Sequence, residues 1–306
     1  ILLDANLMDP FGRLTNGYQF GVMGLIFATS VYLARDISIS NRKMMEQEKR
    51  AAKEEVKREM LQEEVERTQK ELNEARELQL SMLPGELPTT GEIKVAAHMR
   101  TAAEVGGDYY DVIKIDENRF EFVIGDATGH GNKAGFMVAI VKSLFKSLQP
   151  VENVPVFFNR VSGILREMNL GTLFMALTYG KVTNRTVTLS IAGMPPVLVY
   201  CKAVGEVEEI RLKAMPLGAV TTFPYKEITI DLSPGDTLLL LTDGLDELFN
   251  KKREMFGWER IIEVYKEIGE KSPEDIIALF ESEADKWSGE KPIEDDITYL
   301  VLKCLK

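Results

Sequence analysis

The chain has 306 residues, 45% of them hydrophobic, and its 37 basic and 48 acidic side chains leave a net charge of −11. That is ample apolar material for a substantial core, with room for one large domain plus extra segments. The acidic balance argues against nucleic acid as a partner. The two cysteines, Cys201 and Cys304, lie far apart, form no metal-binding spacing and suit a reducing cytosolic setting.

The chain begins with Ile1 rather than Met, so we expect a fragment of something longer. Pro10 and Gly12 are expected to break its start. Residues 18–34 (YQFGVMGLIFATSVYLA) then carry no charge in 17 positions, at the lower limit for a membrane span, which needs about 20 residues. The run lies too far from a charged n-region and a cleavage site to be a signal peptide. Arg35, Arg42 and Lys43 follow it, which places its C-terminal side in the cytoplasm, and Tyr18 and Tyr32 lie near the two ends, where interfacial aromatics are expected. Residues 1–36 are therefore read as the end of a membrane sensor module with one span at about 18–34. The other reading is a buried or dimer-forming soluble helix.

From residue 40 to 83 there is no proline or glycine, and Lys, Arg, Glu, Gln and Ala dominate, all good helix formers. Apolar residues fall at Met45, Ala52, Val56, Met60, Leu61, Val65, Leu72, Ala75 and Met82, mostly three, four or seven apart, with Thr68 and Gln79 at weak positions of the seam. Such a helix cannot bury itself alone, and a parallel homodimer through 40–83 is the economical solution. The expected domains are thus 1–36, a charged signalling helix over 37–83, and a globular domain over 84–306 that opens at Leu83-Pro84.

Within the last segment, strands are expected at 94–100, 112–115, 120–125, then in TLFMALTYGKV, TVTLSIAG, VLVYC, EITIDL and DTLLLL, and finally in YLVLKCL. Helices are expected over 133–148, with Phe136, Ile140, Leu144 and Leu148 on one face, and over 154–168, with Val154, Phe157, Phe158, Val161 and Leu165 at similar spacing. Two more cover 258–268 and 273–287. Strands grouped apart from helix pairs indicate an α+β sandwich of two antiparallel sheets covered by helices.

The chemistry-bearing stretch is 104–131, EVGGDYYDVIKIDENRFEFVIGDATGHG. Asp108 and Asp111 enter its first strand, Asp126 ends the second, and antiparallel pairing brings those ends together. Asp243 closes the apolar run LLLLTDGLDE, and Asp295 and Asp296 precede the last strand. Clustered carboxylates repel, and a hard divalent cation is the usual remedy; oxygen-only ligands suit magnesium or manganese. Four acidic strand ends in one domain, with no cysteine or histidine cluster, look like a carboxylate-bridged two-metal centre.

The ordered series GGDYYD, GDATGHG, AGMPP, PLG, TDGLDE and DDIT resembles the PPM metal-dependent protein serine/threonine phosphatases, over roughly residues 75–306. It is most similar to their bacterial sporulation and stress-response branch, which dephosphorylates anti-sigma-factor antagonists. The stretch AREL-QLSMLP is similar to the regulatory helix that enters this branch.

The resemblance implies a two-metal enzyme using Mn2+ or Mg2+. Asp126 would bridge both ions, the Ala127 carbonyl would add an oxygen, Asp243 and Asp296 would hold one ion and Asp108 the other. Asp126 and Asp243 are accordingly the catalytic candidates. Asp111 and Asp295 are expected either to support the ligands or to cap turns, and Asp246 and Glu247 to face solvent. Thr128 stands where relatives carry a presumed general acid, His130 is expected to be structural, His98 reads as an ordinary strand residue, and Met194 replaces a histidine common in relatives. Arg100 could contact substrate phosphate through its guanidinium fork, or be an ordinary surface residue. The expected protein is a phosphatase at the cytoplasmic face of the inner membrane, acting on phosphoserine or phosphothreonine of a small anti-sigma-factor antagonist. A phosphatase-like domain that only binds a phosphoprotein is the alternative.

Overall fold

The computed structural model describes residues 10–305 except Ala103, Glu104, His130, Pro150 and Glu290, with side chains from Phe20 onward. The chain divides into two compact units, Ile1–Gln69 and Lys70–Lys306. The second unit thus begins in the charged helix, ahead of the boundary expected at Pro84.

Helix α1 (Pro10–Ser81) is continuous. It starts at Pro10 and passes through Gly12, Gly17, Gly21 and Gly24, so Gly12 does not break it. By length and composition it holds a segment able to cross a bilayer, a test that core helices and signal sequences also pass. In the first unit its apolar residues, among them Phe20, Phe27, Met45, Val56, Met60 and Val65, are exposed. In the second unit Leu72, Ala75 and Met82 are half-buried and Gln79 is buried. Those four positions, read from spacing as part of a dimer seam, form a face turned to their own unit.

The second unit is a sandwich. One sheet has the order β1-β10-β9-β6-β7 and the other β2-β3-β4-β5-β8, with every neighbouring pair antiparallel. The first contains β1 (Ile93–Arg100), β6 (Val197–Cys201), β7 (Glu206–Ile210), β9 (Thr237–Leu241) and β10 (Ile297–Cys304); the second contains β2 (Asp108–Lys114), β3 (Arg119–Ala127), β4 (Met175–Thr183), β5 (Thr186–Ala192) and β8 (Ile228–Asp231). Strand alternation sends Tyr110, Val112, Phe120, Phe122 and Ile124 inward to meet Leu238, Leu240, Leu300 and Leu302 of the facing sheet.

The outer faces are covered by helix pairs. α2 (Asn132–Ser147) and α3 (Val154–Glu167) lie on the second sheet, and α4 (Trp258–Ile268) and α5 (Pro273–Ser288) on the first. The five expected core residues of α3 are all buried. On α2 the fully buried residues are Ala134, Met137, Val138, Val141 and Phe145; Ile140, Leu144 and Leu148 are partly buried against the same core, and Phe136 is exposed. Strand β7, EVEEI, was not expected, since Glu206, Glu208 and Glu209 give it no apolar alternation. It forms because Gly205, at a φ of 68°, closes a tight turn after β6.

Candidate metal centre

Four chain segments bring carboxylates to one end of the sandwich. Antiparallel register places Asp108 directly opposite Asp126, at the start of β2 and near the end of β3. From the other sheet, Asp243 follows β9 and Asp296 precedes β10, and Leu241 of β9 stands opposite Tyr299 of β10. The loop ends are tied by Thr242 N–H donating to the Thr298 carbonyl (3.2 Å) and Thr298 N–H donating to Thr242 Oγ1 (3.0 Å).

Asp108 is buried, and its Oδ2 accepts from Thr242 Oγ1 (2.8 Å) and Thr298 Oγ1 (2.5 Å). Asp296 is also buried. Its Oδ1 accepts from the Ala102 N–H (2.8 Å), and its Oδ2 from the N–H groups of Gly107 (2.8 Å) and Asp108 (3.4 Å). Both carboxylates are therefore oriented by the protein before any ligand arrives. The backbone must approach closely for this. A methyl at Gly107 would overlap the Ala127 carbonyl and Asp126 Oδ1, and one at Gly244 would overlap the Asp296 carbonyl.

The electrostatics are one-sided. Desolvation, then Asp243, Asp295, Asp296 and Glu247, push the pKa of Asp126 up to about 8. Burial first and then Asp126 raise Asp108 well above the usual carboxylate range, against the two threonine hydrogen bonds that lower it. Asp246 and Glu247 are shifted upward too, by desolvation and by Asp243. Glu247 is exposed as expected, whereas Asp246 is half-buried. The donor set is all oxygen and its uncompensated charge is negative, which fits hard divalent cations. Among the described residues, no three acidic, histidine or cysteine side chains converge as a ready ligand cluster. The carboxylates are neighbours electrostatically, not a closed cage.

Other candidates fall elsewhere. Asp111 lies on the opposite face of β2, buried beneath α2. It accepts from Lys142 Nζ (2.7 Å), Lys146 Nζ (3.0 Å) and Tyr109 OH (3.0 Å), so it anchors a helix and neither supports the ligands nor caps a turn. Asp295 is exposed, and its Oδ1 accepts from the Asp296 N–H (2.8 Å). Arg100 pairs with Asp285 (2.7 Å) and Glu281 (3.5 Å) of α5. His98 is an exposed strand residue 3.9 Å from Glu281, and Met194 packs at the edge of the inter-sheet core. Thr128 ties its loop to the entry of β4: its Oγ1 accepts from the Phe174 N–H (2.8 Å), and its N–H donates to the Phe174 carbonyl (3.0 Å). His130 lies outside the described residues. Sequence reasoning missed Thr242 and Thr298 as site residues. The two threonines sit inside TDGLDE and DDIT, beside the acids that drew attention first.

Two five-stranded antiparallel sheets with helix pairs outside and acids at one end define a PP2C-type phosphatase fold. The phosphatase domain "SiaA-PP2C domain of Pseudomonas aeruginosa" superposes with a TM-score of 0.67 at 20% identity, covering 78% of this chain and 97% of that one. RsbX, solved in complex with magnesium, superposes with a TM-score of 0.55 at 16% identity over 72% of this chain and 98% of its own. Residues 116–305 match the family model of stage II sporulation protein E, and the chain belongs to that family (SpoIIE). Phosphoserine phosphatase RsbU of Bacillus subtilis is 24% identical over 180 residues, 58% of this chain and 53% of RsbU. The chain spans between about a quarter and about half of the length of the curated relatives it matches.

Proposed function

We propose that the second unit is a metal-dependent protein serine/threonine phosphatase. The observation that carries this reading is the carboxylate group Asp108, Asp126, Asp243 and Asp296 at one end of a PP2C-type sandwich, where Asp243, Asp295, Asp296 and Glu247 all push the Asp126 pKa upward. Divalent cations held by Asp108, Asp126, the Ala127 carbonyl, Asp243 and Asp296 would neutralise phosphoryl oxygens and activate water; manganese or magnesium is the choice that oxygen donors favour. The chain's own part is positional. Thr242 and Thr298 hold Asp108, three backbone N–H groups hold Asp296, and Asp126 supplies a carboxylate that must shed its proton to bind a cation.

The substrate in this reading is a phosphoserine or phosphothreonine on a signalling protein, a small anti-sigma-factor antagonist in a partner-switching system. The RsbU and RsbP relatives, both named phosphoserine phosphatases, support the phosphoserine part of this reading. The first unit would tether the enzyme to the cytoplasmic membrane through residues 18–34, with the second unit in the cytoplasm. A second copy of the chain would cover the exposed seam from Met45 to Val65. Arg100 as a phosphate contact would require release from Asp285 and Glu281. The decisive experiment is hydrolysis of a phosphoserine protein, or of p-nitrophenyl phosphate, with manganese and then with chelator. Turnover that the chelator abolishes supports the proposal. Phosphoprotein binding without turnover would make the domain a recognition module instead.

A further inference from the structure

The last turns of α1 carry one polar side chain into the second unit. Gln79 is 5% exposed, between Leu78 and Leu80, both of which are exposed. Its Nε2 donates to the Gly106 carbonyl (2.8 Å) and its Oε1 accepts from the Gly106 N–H (3.0 Å). Both backbone polar groups of one residue, the N–H of the peptide before Gly106 and the carbonyl of the peptide after it, are thus satisfied by the two ends of one side-chain amide, a pairing that fixes position and orientation together.

The neighbours of Gly106 belong to the site. Gly107 N–H and Asp108 N–H donate to Asp296 Oδ2, and the Gly107 carbonyl accepts from Ala127 N–H (3.0 Å). A methyl at Gly106 would overlap the Asp296 carboxylate. Gly106 therefore contacts the end of α1, Gly107 both the carboxylate before β10 and the backbone beside Asp126, and Asp108 that same carboxylate.

We propose that Gln79 is a positioning residue whose amide clamps the Gly106 peptide, holding the Gly107 and Asp108 N–H groups on Asp296 and the Asp108 carboxylate opposite Asp126. Gln79 touches no reacting group and acts through the backbone it holds. Leucine in its place would leave the Gly106 N–H and carbonyl buried without their partner, which is costly in a dry environment. The proposal rests on the metal-centre reading above for its consequence, and on the hydrogen bonds alone for its local claim.

The test uses the full chain with Gln79→Met, which keeps length and bulk and loses both hydrogen bonds, Gln79→Glu, which keeps the acceptor for Gly106 N–H and loses the donor, and Leu78→Gln as a surface control. Two readouts are taken: amide exchange in the metal-free protein, and manganese affinity by calorimetry. Gln79→Met is expected to speed exchange in the peptide carrying Gly106 and Gly107 while leaving β9 and β10 protected. It is also expected to weaken manganese binding about tenfold or more, the scale seen when groups that orient metal ligands are lost. Gln79→Glu should fall between it and the wild type, and Leu78→Gln should match the wild type. Asp296→Asn is measured beside them. If Asp296→Asn binds manganese normally, the metal-centre reading falls while the exchange result still judges the clamp. Wild-type exchange and affinity in both Gln79 variants would overturn the clamp itself, and should Gln79→Met fail to fold, Gln79→Glu decides alone.

Discussion

Asp126 links protonation to both stability and metal binding. Its pKa in the folded metal-free protein is about 8, against about 4 for an unfolded aspartate. Between those values the folded state holds a proton that the unfolded state has lost. The stability this contributes is fully present below about pH 4 and is lost as pH rises through about 8. The thermal midpoint of the metal-free protein should therefore fall from pH 5 to pH 8 in a calorimetric scan, and manganese affinity should rise over the same interval. A midpoint that climbs with pH would show that Asp126 is ionised throughout. Asn at position 126 should flatten both trends and lower turnover by about a hundredfold or more, the scale of removing transition-state charge stabilisation.

Asp111 makes the opposite case, a carboxylate already paired by the chain. Lys142 is 18% exposed and Asp111 is fully buried, so removing the acid strands a largely buried cation. Asp111→Ala should cost about 3 kcal/mol in urea unfolding without lowering manganese affinity. From sequence, Asp108 and Asp111 look alike, two acids three apart beside glycines. What separates them is strand alternation, which turns Asp111 toward α2, where Lys142 and Lys146 claim it; the apolar spacing of that helix does not reveal those lysines.

Among the elements, α1 is where spacing misled most. A seam counted along 40–83 treats every apolar position as equivalent. The structure instead leaves Met45 to Val65 exposed and turns Leu72, Ala75 and Gln79 to the second unit. Periodicity identifies a stripe and says nothing of what covers it. The strands and the remaining helices were legible because their apolar runs end at turn residues. β7 was not, since it owes its existence to a partner and a glycine turn. The seam that remains contains Thr68, whose hydroxyl donates to its own helix at the Glu64 carbonyl (2.8 Å). Thr68→Leu should tighten self-association of the full chain, read by light scattering, while leaving the metal-free fold unchanged. An unchanged mass distribution would mean that this stretch is not a dimer seam.

For the whole molecule, the two units make different demands. Large apolar side chains such as Phe20, Phe27 and Tyr32 are 75%, 72% and 69% exposed in the chain alone, a stripe that water does not favour. Carbonate extraction of the full chain from cells should leave it with the membrane pellet, and removal of residues 1–36 should release it. Release of the intact chain would count against the tether. The sandwich was foreseeable from the order of acidic motifs and strands, because four strand ends carry the acids and pairing alone brings them near. The hydroxyls and backbone amides that orient those acids were not, because they come from whichever loop folds over the site.

The order of strands in the first sheet bears on how the protein is made. β10, last in chain order among the strands of the sandwich, lies between β1 and β9, so β1 has no partner in its sheet until residues 297–304 have been made. The second sheet, complete by Asp231, can assemble while its mate is still emerging from the ribosome. Asp296 and Thr298, which complete the acidic end, arrive with that final strand. A nascent chain thus carries its helix and half of its sandwich for some time before it can bind a cation, and translation that stops short of Ile297 yields a protein with no finished site.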